Sequence, residues 1–425
     1  MMLTRHNLST HALHFLTFSV SAIAQLAAPC PGLPTASTVC INRHASVMPY
    51  PFFRFHPSDG SLSPEDSFPR TNTTDPTFAL VRNATFLVFD HARAADILGP
   101  DPILEHLFDL PPGFVHEAPV YVPSINSVIF SALAQDVVPQ LIINLDGPRP
   151  TIANYTPEPP VYGVNGGRYH DGKIYWAVSA GVPFPHPEDG STVLQTPGIV
   201  ELDPTTNATR TLLNNYYGAQ FNSPDDVVVA SNGDIFFTDP WYGWSGNLTA
   251  APVLPAATWR FRPATGQAQI VESSLVQPNG IALSPDEKTI YITDTGLTEF
   301  DMPEHVLPRF SLNSTGPRYL YAFDLDLEGK GGRVLTEKRV VFLAAEFGTD
   351  GVHVAADGSI VGAIRERVDV LSPEGELILQ IRSTFVVNNV QFVGPDLDEL
   401  WLFGYGGVSR VKWNLKGRLE GRASS

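Results

Sequence analysis

Cysteine is almost absent: Cys30 and Cys40 are the only two in 425 residues, which argues against a thiolate metal centre or Cys-x-x-Cys redox chemistry. Basic residues are scarce too. With 27 Lys and Arg against 44 Asp and Glu the formal net charge is -17, and without clustered cations the chain has little to hold a phosphate backbone or an anionic membrane. The expected partner is a small molecule. Beyond the N-terminus no apolar run approaches the roughly 20 residues needed to span hydrocarbon. No long amphipathic helix pattern appears, and Asp96 to Phe108 is the best short candidate. Motifs of several hydrolase and nucleotide-binding classes are missing: there is no G-x-S-x-G elbow, no H-E-x-x-H and no G-x-G-x-x-G loop. The acidic stretch Asp324 to Gly329 begins like a calcium loop, but its twelfth position is Leu335 where a bidentate Glu is required, so it reads as a solvated hairpin.

Residues 1–24 carry Arg5 and His6, then an apolar run from Ala12 that ends in Ala22-Ile23-Ala24. Length and ending fit a cleaved secretory signal peptide. An oxidising compartment would pair Cys30 with Cys40. Six N-x-S/T sequons follow, at Asn72, Asn83, Asn154, Asn207, Asn247 and Asn313, so a secreted glycoprotein is expected with those six asparagines on exposed loops. Residues 25–83 are crowded with Pro, Ser and Thr and read as an extension wrapped loosely on the body.

From Ala84 to about Leu415 short β-branched and aromatic runs alternate with polar turns, leaving 416–425 as a tail. One unit recurs: a polar residue, an apolar strand, a tight turn, a second apolar strand. Glu117 precedes APVYV, PSIN and SVIFS; His170 precedes DGK and IYWAV; Asp225 precedes DVVVA, SNGD and IFFTD. Asn279 precedes GIALS, PDEK and TIYITD, Asp350 precedes GVHVA and ADGS, and Asn389 precedes VQFVG. Successive openings lie roughly 40 to 70 residues apart, enough for a four-stranded sheet each, so the expected fold is an all-β six-bladed β-propeller in one domain. The early strand TFLVFD is expected to join the last blade and close the ring.

The innermost strands of a propeller all run the same way, so their opening residues converge at one mouth of the channel. Glu117, Asp225, Asn279 and Asp350 are expected there. Gathered carboxylates resist ionising together unless a cation neutralises them, and oxygen donors without Cys or several His select calcium ahead of magnesium or manganese.

These segments resemble the senescence marker protein, gluconolactonase and luciferin-regenerating enzyme family, and more distantly the paraoxonases. The resemblance runs from about Glu117 to Trp413 and is carried by Asn222-Ser-Pro-Asp-Asp-Val-Val-Val with IFFTDPWYG, by Pro278-Asn-Gly-Ile-Ala-Leu-Ser-Pro-Asp with TIYITDT, and by Thr349-Asp-Gly-Val with ADG. It implies a six-bladed propeller with one channel calcium held by Glu117, Asp225, Asn279 and Asp350, and hydrolysis of small sugar-type lactones. The layout is most similar to secreted fungal lactonases acting on aldonolactones or pantolactone. Asp225-Asp226 departs from the Asn-Asp of many relatives and adds charge beside the cation, with Asp226 expected to be structural.

Lactone opening needs carbonyl polarisation and a general base, because calcium acidifies water less than zinc does. Asp350 is the first candidate base and His170 the second, while strand alternation turns His353 away from the channel. Asn222, Trp241, Tyr242 and Phe347 flank the ligands and are the candidate substrate contacts. Hydrolysis of other esters or phosphotriesters, and a non-catalytic binding propeller, are the alternatives.

Overall fold

The computed structural model describes residues 25–42, 46–53, 67–111, 114–133, 140–185, 190–301, 309–329 and 334–419. The expected signal peptide, 1–24, and most of the expected tail lie outside them. No helix among the described residues is long and apolar enough to cross a membrane.

The alternating apolar runs become antiparallel strands whose turns follow the polar clusters. Four sheets of four strands succeed one another along the chain. Their first strands are Val115–Val122, Val164–His170, Val227–Val229 and Pro278–Leu283. A further sheet has nine strands. The fold is thus all-β, a propeller-like arrangement of small sheets.

The core is distributed between neighbouring sheets. Val120, Ile129, Val164 and Trp176 join the first sheet to the second, and Ile199, Phe221, Phe237 and Trp259 join the second to the third. Val228, Phe236, Ile281 and Ile292 join the third to the fourth, and Ala282, Tyr291, Val352 and Ile360 continue to the nine-stranded sheet. Phe130 and Ile143 of the first sheet pack with Val387, Val390 and Phe403 of the last. That contact closes the ring. Apolar side chains on both faces of each sheet are what such stacking requires, since each sheet must bury both faces against its neighbours.

Six separate blades are not what the hydrogen bonding gives: among the described residues there are four four-stranded sheets, one of nine and three of two. The cause is a single strand of 17 residues, Leu377–Val393. Its first part pairs with Ile360–Leu371 on one side and Phe86–Val88 on the other, and its last part pairs with Glu399–Gly404. The chain passes from one set of partners to the next without a turn, so pairing runs on.

Three other expectations change. The TFLVFD segment settles as Phe86–Val88 against Leu379–Ile381, whereas the last strand, Gly407–Lys412, is covered by Ile103–Asp109. The helix forms over His91–Leu98 rather than Asp96–Phe108, because Asp90 accepts from Arg93 N–H at its start and Gly99, at φ 68°, ends it ahead of Pro100. The extension is packed, not loose: Ala27–Pro29 and Thr38–Ile41 pair, joined by a Cys30–Cys40 disulfide. They extend the nine-stranded sheet through Phe86–Val88 and bury Leu26, Val39, Phe78 and Val81.

Candidate active site

Two glycines explain how the inner strands approach one another. A Cβ at Gly166 would collide with the backbone of Asp225 and Asp226, and one at Gly280 with the backbone carbonyl of Asp350. Only hydrogen fits there. The residue before each glycine, Asn165 and Asn279, is thereby set beside the opening of the next sheet.

Beside these residues the strand register shifts, between Glu117 and Val120, Val164 and Gly166, Pro278 and Ile281, and Val387 and Asn389. Such bulges re-aim side chains that regular pairing would send elsewhere. Glu117, Asn165, Asn279 and Asn388 turn into one cavity of about 800 Å³, joined there by Asp225 and Asp350. All four expected cation ligands therefore line a single space. Tyr242 and Phe347 line it too, with Val115, Leu133, Leu248 and Val386 forming apolar wall.

Hydrogen bonds hold the polar side chains in place. Asn388 Nδ2 donates to Asp350 Oδ2 at 2.9 Å, and Asn389 Nδ2 to Glu117 Oε2 at 3.0 Å. Asn279 also hydrogen-bonds Asp350, and Asn165 bonds Asp225. Thr238 and Thr293, from the IFFTD and TIYITD segments, bond the Asn279 and Asp350 carbonyls at 2.6 and 3.3 Å. The aspartates that follow them brace the incoming loops. Asp239 accepts from the Asn222 and Ser223 N–H groups at 3.1 and 2.7 Å, and Asp294 accepts from Val276, Gln277 and Gly296.

Burial, then the charge of Asp350, pushes Glu117 well above the usual carboxylate range. Asp225 rises for the same reasons, with Asp226 adding to the repulsion. Asp350 is pushed up to about 6, chiefly by burial, against the bonds from Asn388 and Asn279 that favour its charged form. This set is electrostatically unsatisfied, and Asn388 Oδ1 is a buried acceptor with no hydrogen bond. Oxygen-only donors of this kind suit a hard cation. Among the described residues no group of three or more His, Cys, Asp and Glu side chains is placed to hold a metal ion, so amide oxygens would have to complete a site.

Other candidates lie elsewhere. His170 does not line the cavity; it ends the strand on which Asn165, five residues earlier, takes the mouth position. Asn222 is committed to its own loop, donating to the Asp239 and Pro255 carbonyls. Trp241 bonds Gln277 and Leu254 and stays outside the lining. His353 does not face away from the hub: it stands against Arg168, because Asp350 and Gly351 precede the regular strand Val352–Val354 and parity counted from Asp350 does not carry across. Of the sequon asparagines, Asn72, Asn83, Asn154 and Asn247 are exposed. Asn207 and Asn313 are half-buried, and their amide nitrogens donate to Thr156 and Glu299.

Beneath the cavity, Arg168 links the inner strands. Its Nη2 donates to the carbonyls of Ile281 and Val352 at 3.0 and 2.9 Å and stands 3.6 Å from Asp226 Oδ2. Asp226 in turn accepts from the Val227 and Ile281 N–H groups. These contacts give Asp226 a structural part directly behind Asp225.

The SMP-30/Gluconolactonase/LRE-like region matches residues 116–302. "Lactonohydrolase oryL" of Aspergillus oryzae is 39% identical over 400 residues, covering 93% of this chain and 89% of its own. The chain belongs to the SMP-30/gluconolactonase/LRE-like family. A gluconolactonase structure from Xanthomonas campestris superposes with TM-score 0.60 at 22% identity, covering 77% of this chain and 94% of that one. A calcium-binding protein, regucalcin, from Agrobacterium tumefaciens gives 0.54 at 17% identity, covering 76% and 97%. Both likenesses are of fold. Family membership rests on the Aspergillus sequence and does not by itself assign Asn165, Asn388 or Tyr405, all of which line the cavity and which the sequence reading missed. The Asn-Gly pairs at 165–166 and 279–280 were the available signal for the first.

Proposed function

We propose that this protein is a secreted, calcium-dependent lactonase that opens a small hydroxylated lactone of the aldonolactone or pantolactone type. The observation that carries the reading is the single cavity onto which Glu117, Asp225, Asn279 and Asp350 converge beside apolar wall. Lactonohydrolase and gluconolactonase relatives support the reaction class. The disulfide in the N-terminal segment supports an oxidising, extracellular location. The nine-stranded sheet is read as two four-stranded blades sharing the Leu377–Val393 strand, with the N-terminal hairpin added at its edge, which makes six blades in all.

Glu117, Asp225, Asn279 and Asp350 would hold the calcium, which when bound neutralises the carboxylates and polarises the substrate carbonyl. Asp350 is the general base. A carboxylate held at the cavity wall can accept the proton of a water placed for attack. The Asn388 and Asn279 amides fix its orientation. Water oxygen bonds to the acyl carbon while Asp350 accepts the proton. The ring C–O bond then breaks, and the proton passes to the departing alkoxide to give a hydroxy acid. Tyr242, half-buried and hydrogen-bonded to Thr295, keeps its hydroxyl protonated and shapes the pocket.

The test is hydrolysis of five- and six-membered hydroxylated lactones of both hands, beside aryl esters. Asp350→Asn is expected to lower kcat by about 10²–10⁴-fold, the range for a lost general base. Turnover of aryl esters alone, or full activity in Asp350→Asn, would overturn the proposal.

A further inference from the structure

Among the described residues, the other buried and half-buried arginines have hydrogen-bond or ion-pair partners. Arg260 and Arg262 hold Asp234, Arg367 holds Glu346 and Asp369, and Arg410 holds Glu105 and Glu399. Arg365 differs. It lines the acidic cavity, is half-buried, and makes no hydrogen bond or ion pair with any described residue.

Its backbone is set for that position at a cost. Residue 365 has φ 50°, a left-handed conformation that a long non-glycine side chain rarely adopts. Pairing with the Leu377–Val393 strand shifts register between Arg365 and Arg367, a bulge that aims these two arginines differently. Opposite Arg365 is Val387, next to Asn388, whose amide donates to Asp350 at 2.9 Å. Tyr405 continues the same wall, its N–H donating to Val386. A cation without a partner among the described residues therefore shares the cavity wall with the proposed base.

Arg365 is the one cationic side chain among the described residues lining this cavity, and a guanidinium with no partner among them marks where a negative group of the substrate is accepted. Its planar fork matches a carboxylate with two parallel hydrogen bonds. We propose that Arg365 determines specificity in this cavity, and that the preferred lactones carry a carboxylate on the ring, held by Arg365 while the lactone carbonyl faces Asp350. This rests on the lactonase reading and adds the substrate class.

The test compares γ-butyrolactone with paraconate, the same ring bearing a carboxylate. Wild type is expected to favour paraconate in kcat/KM by roughly ten- to hundredfold, the ratio a charge-assisted hydrogen bond supplies. Arg365→Asn, chosen because asparagine tolerates the left-handed backbone, is expected to remove that preference, mainly through KM. Arg365→Lys retains part of it. Each ratio is read within one protein, so a loss of folded fraction cancels. An unchanged ratio in Arg365→Asn, or a wild-type preference for the neutral ring, overturns the proposal. If wild type opens neither lactone, the hydroxylated-lactone panel decides the lactonase reading and calorimetric binding of paraconate decides the role of Arg365. Binding weakened about tenfold or more in Arg365→Asn supports it; absent or equal binding refutes it.

Discussion

Replacing Arg168 with Met keeps most of the side-chain volume and removes the charge. Arg168 is 5% exposed and Asp226 3%, so the change takes the guanidinium away from a buried carboxylate that accepts from the Val227 and Ile281 N–H groups. It also leaves the Ile281 and Val352 carbonyls without the guanidinium. Breaking a buried pair from one side costs about 3–5 kcal/mol, mostly through the charge left behind. Each kcal/mol moves Tm by about 2–4 °C in domains of 150–250 residues and by less in larger ones, so a drop on the order of 5–10 °C follows. Asp226→Asn in the Arg168→Met background removes that buried charge and is expected to recover at least about half the loss, a coupling between neighbours that independent sites do not show. Thermal and urea unfolding of the wild type, both single variants and the double variant measure it. A single-variant cost below about 1 kcal/mol, the typical effect of a point substitution, or simple additivity in the double variant, refutes the reasoning.

Gly280→Val should cost about 1–3 kcal/mol by overpacking against the Asp350 backbone. It should also lower lactone hydrolysis by more than the folded fraction falls, because it moves Asn279 away from Asp350; activity normalised to folded protein checks this. Asp239, buried and held up at about 7 against an ordinary 3.8, favours the protonated folded state. Its contribution is fully present below about 3.8 and is lost as pH rises through about 7. In chelated protein the Tm of wild type should therefore fall more between pH 5 and pH 8 than that of Asp239→Asn, as differential scanning calorimetry at about those two values would read; equal slopes would contradict the assignment.

The strand-turn-strand units and the convergence of Glu117, Asp225, Asn279 and Asp350 were legible because each opening residue precedes a clean apolar run. Asn165 was not, since Gly166-Gly167 reads as a turn when it is a close crossing inside a strand. His170 took its place in the reading by sitting next to the visible DGK turn. The fused nine-stranded sheet was hidden by Arg382-Ser383-Thr384, a polar interval that looks like a break but stays extended. Arg168, Arg365 and Tyr405 owe their positions to strands that meet only around the ring, and nothing local to their segments signals that meeting. Asn222 and Trp241 carried the opposite error: proximity to ligands in sequence suggested substrate contact, whereas their hydrogen bonds serve the loop.

In the proposed enzyme, distant acidic and amide groups share one cation that lactone opening requires. Initial hydrolysis rates measured against free calcium, after complete chelation, address this directly. The expected result is a rate at the uncatalysed background without calcium, saturable recovery in wild type, and recovery displaced to higher calcium in Glu117→Gln. A rate that is the same with and without calcium would contradict it.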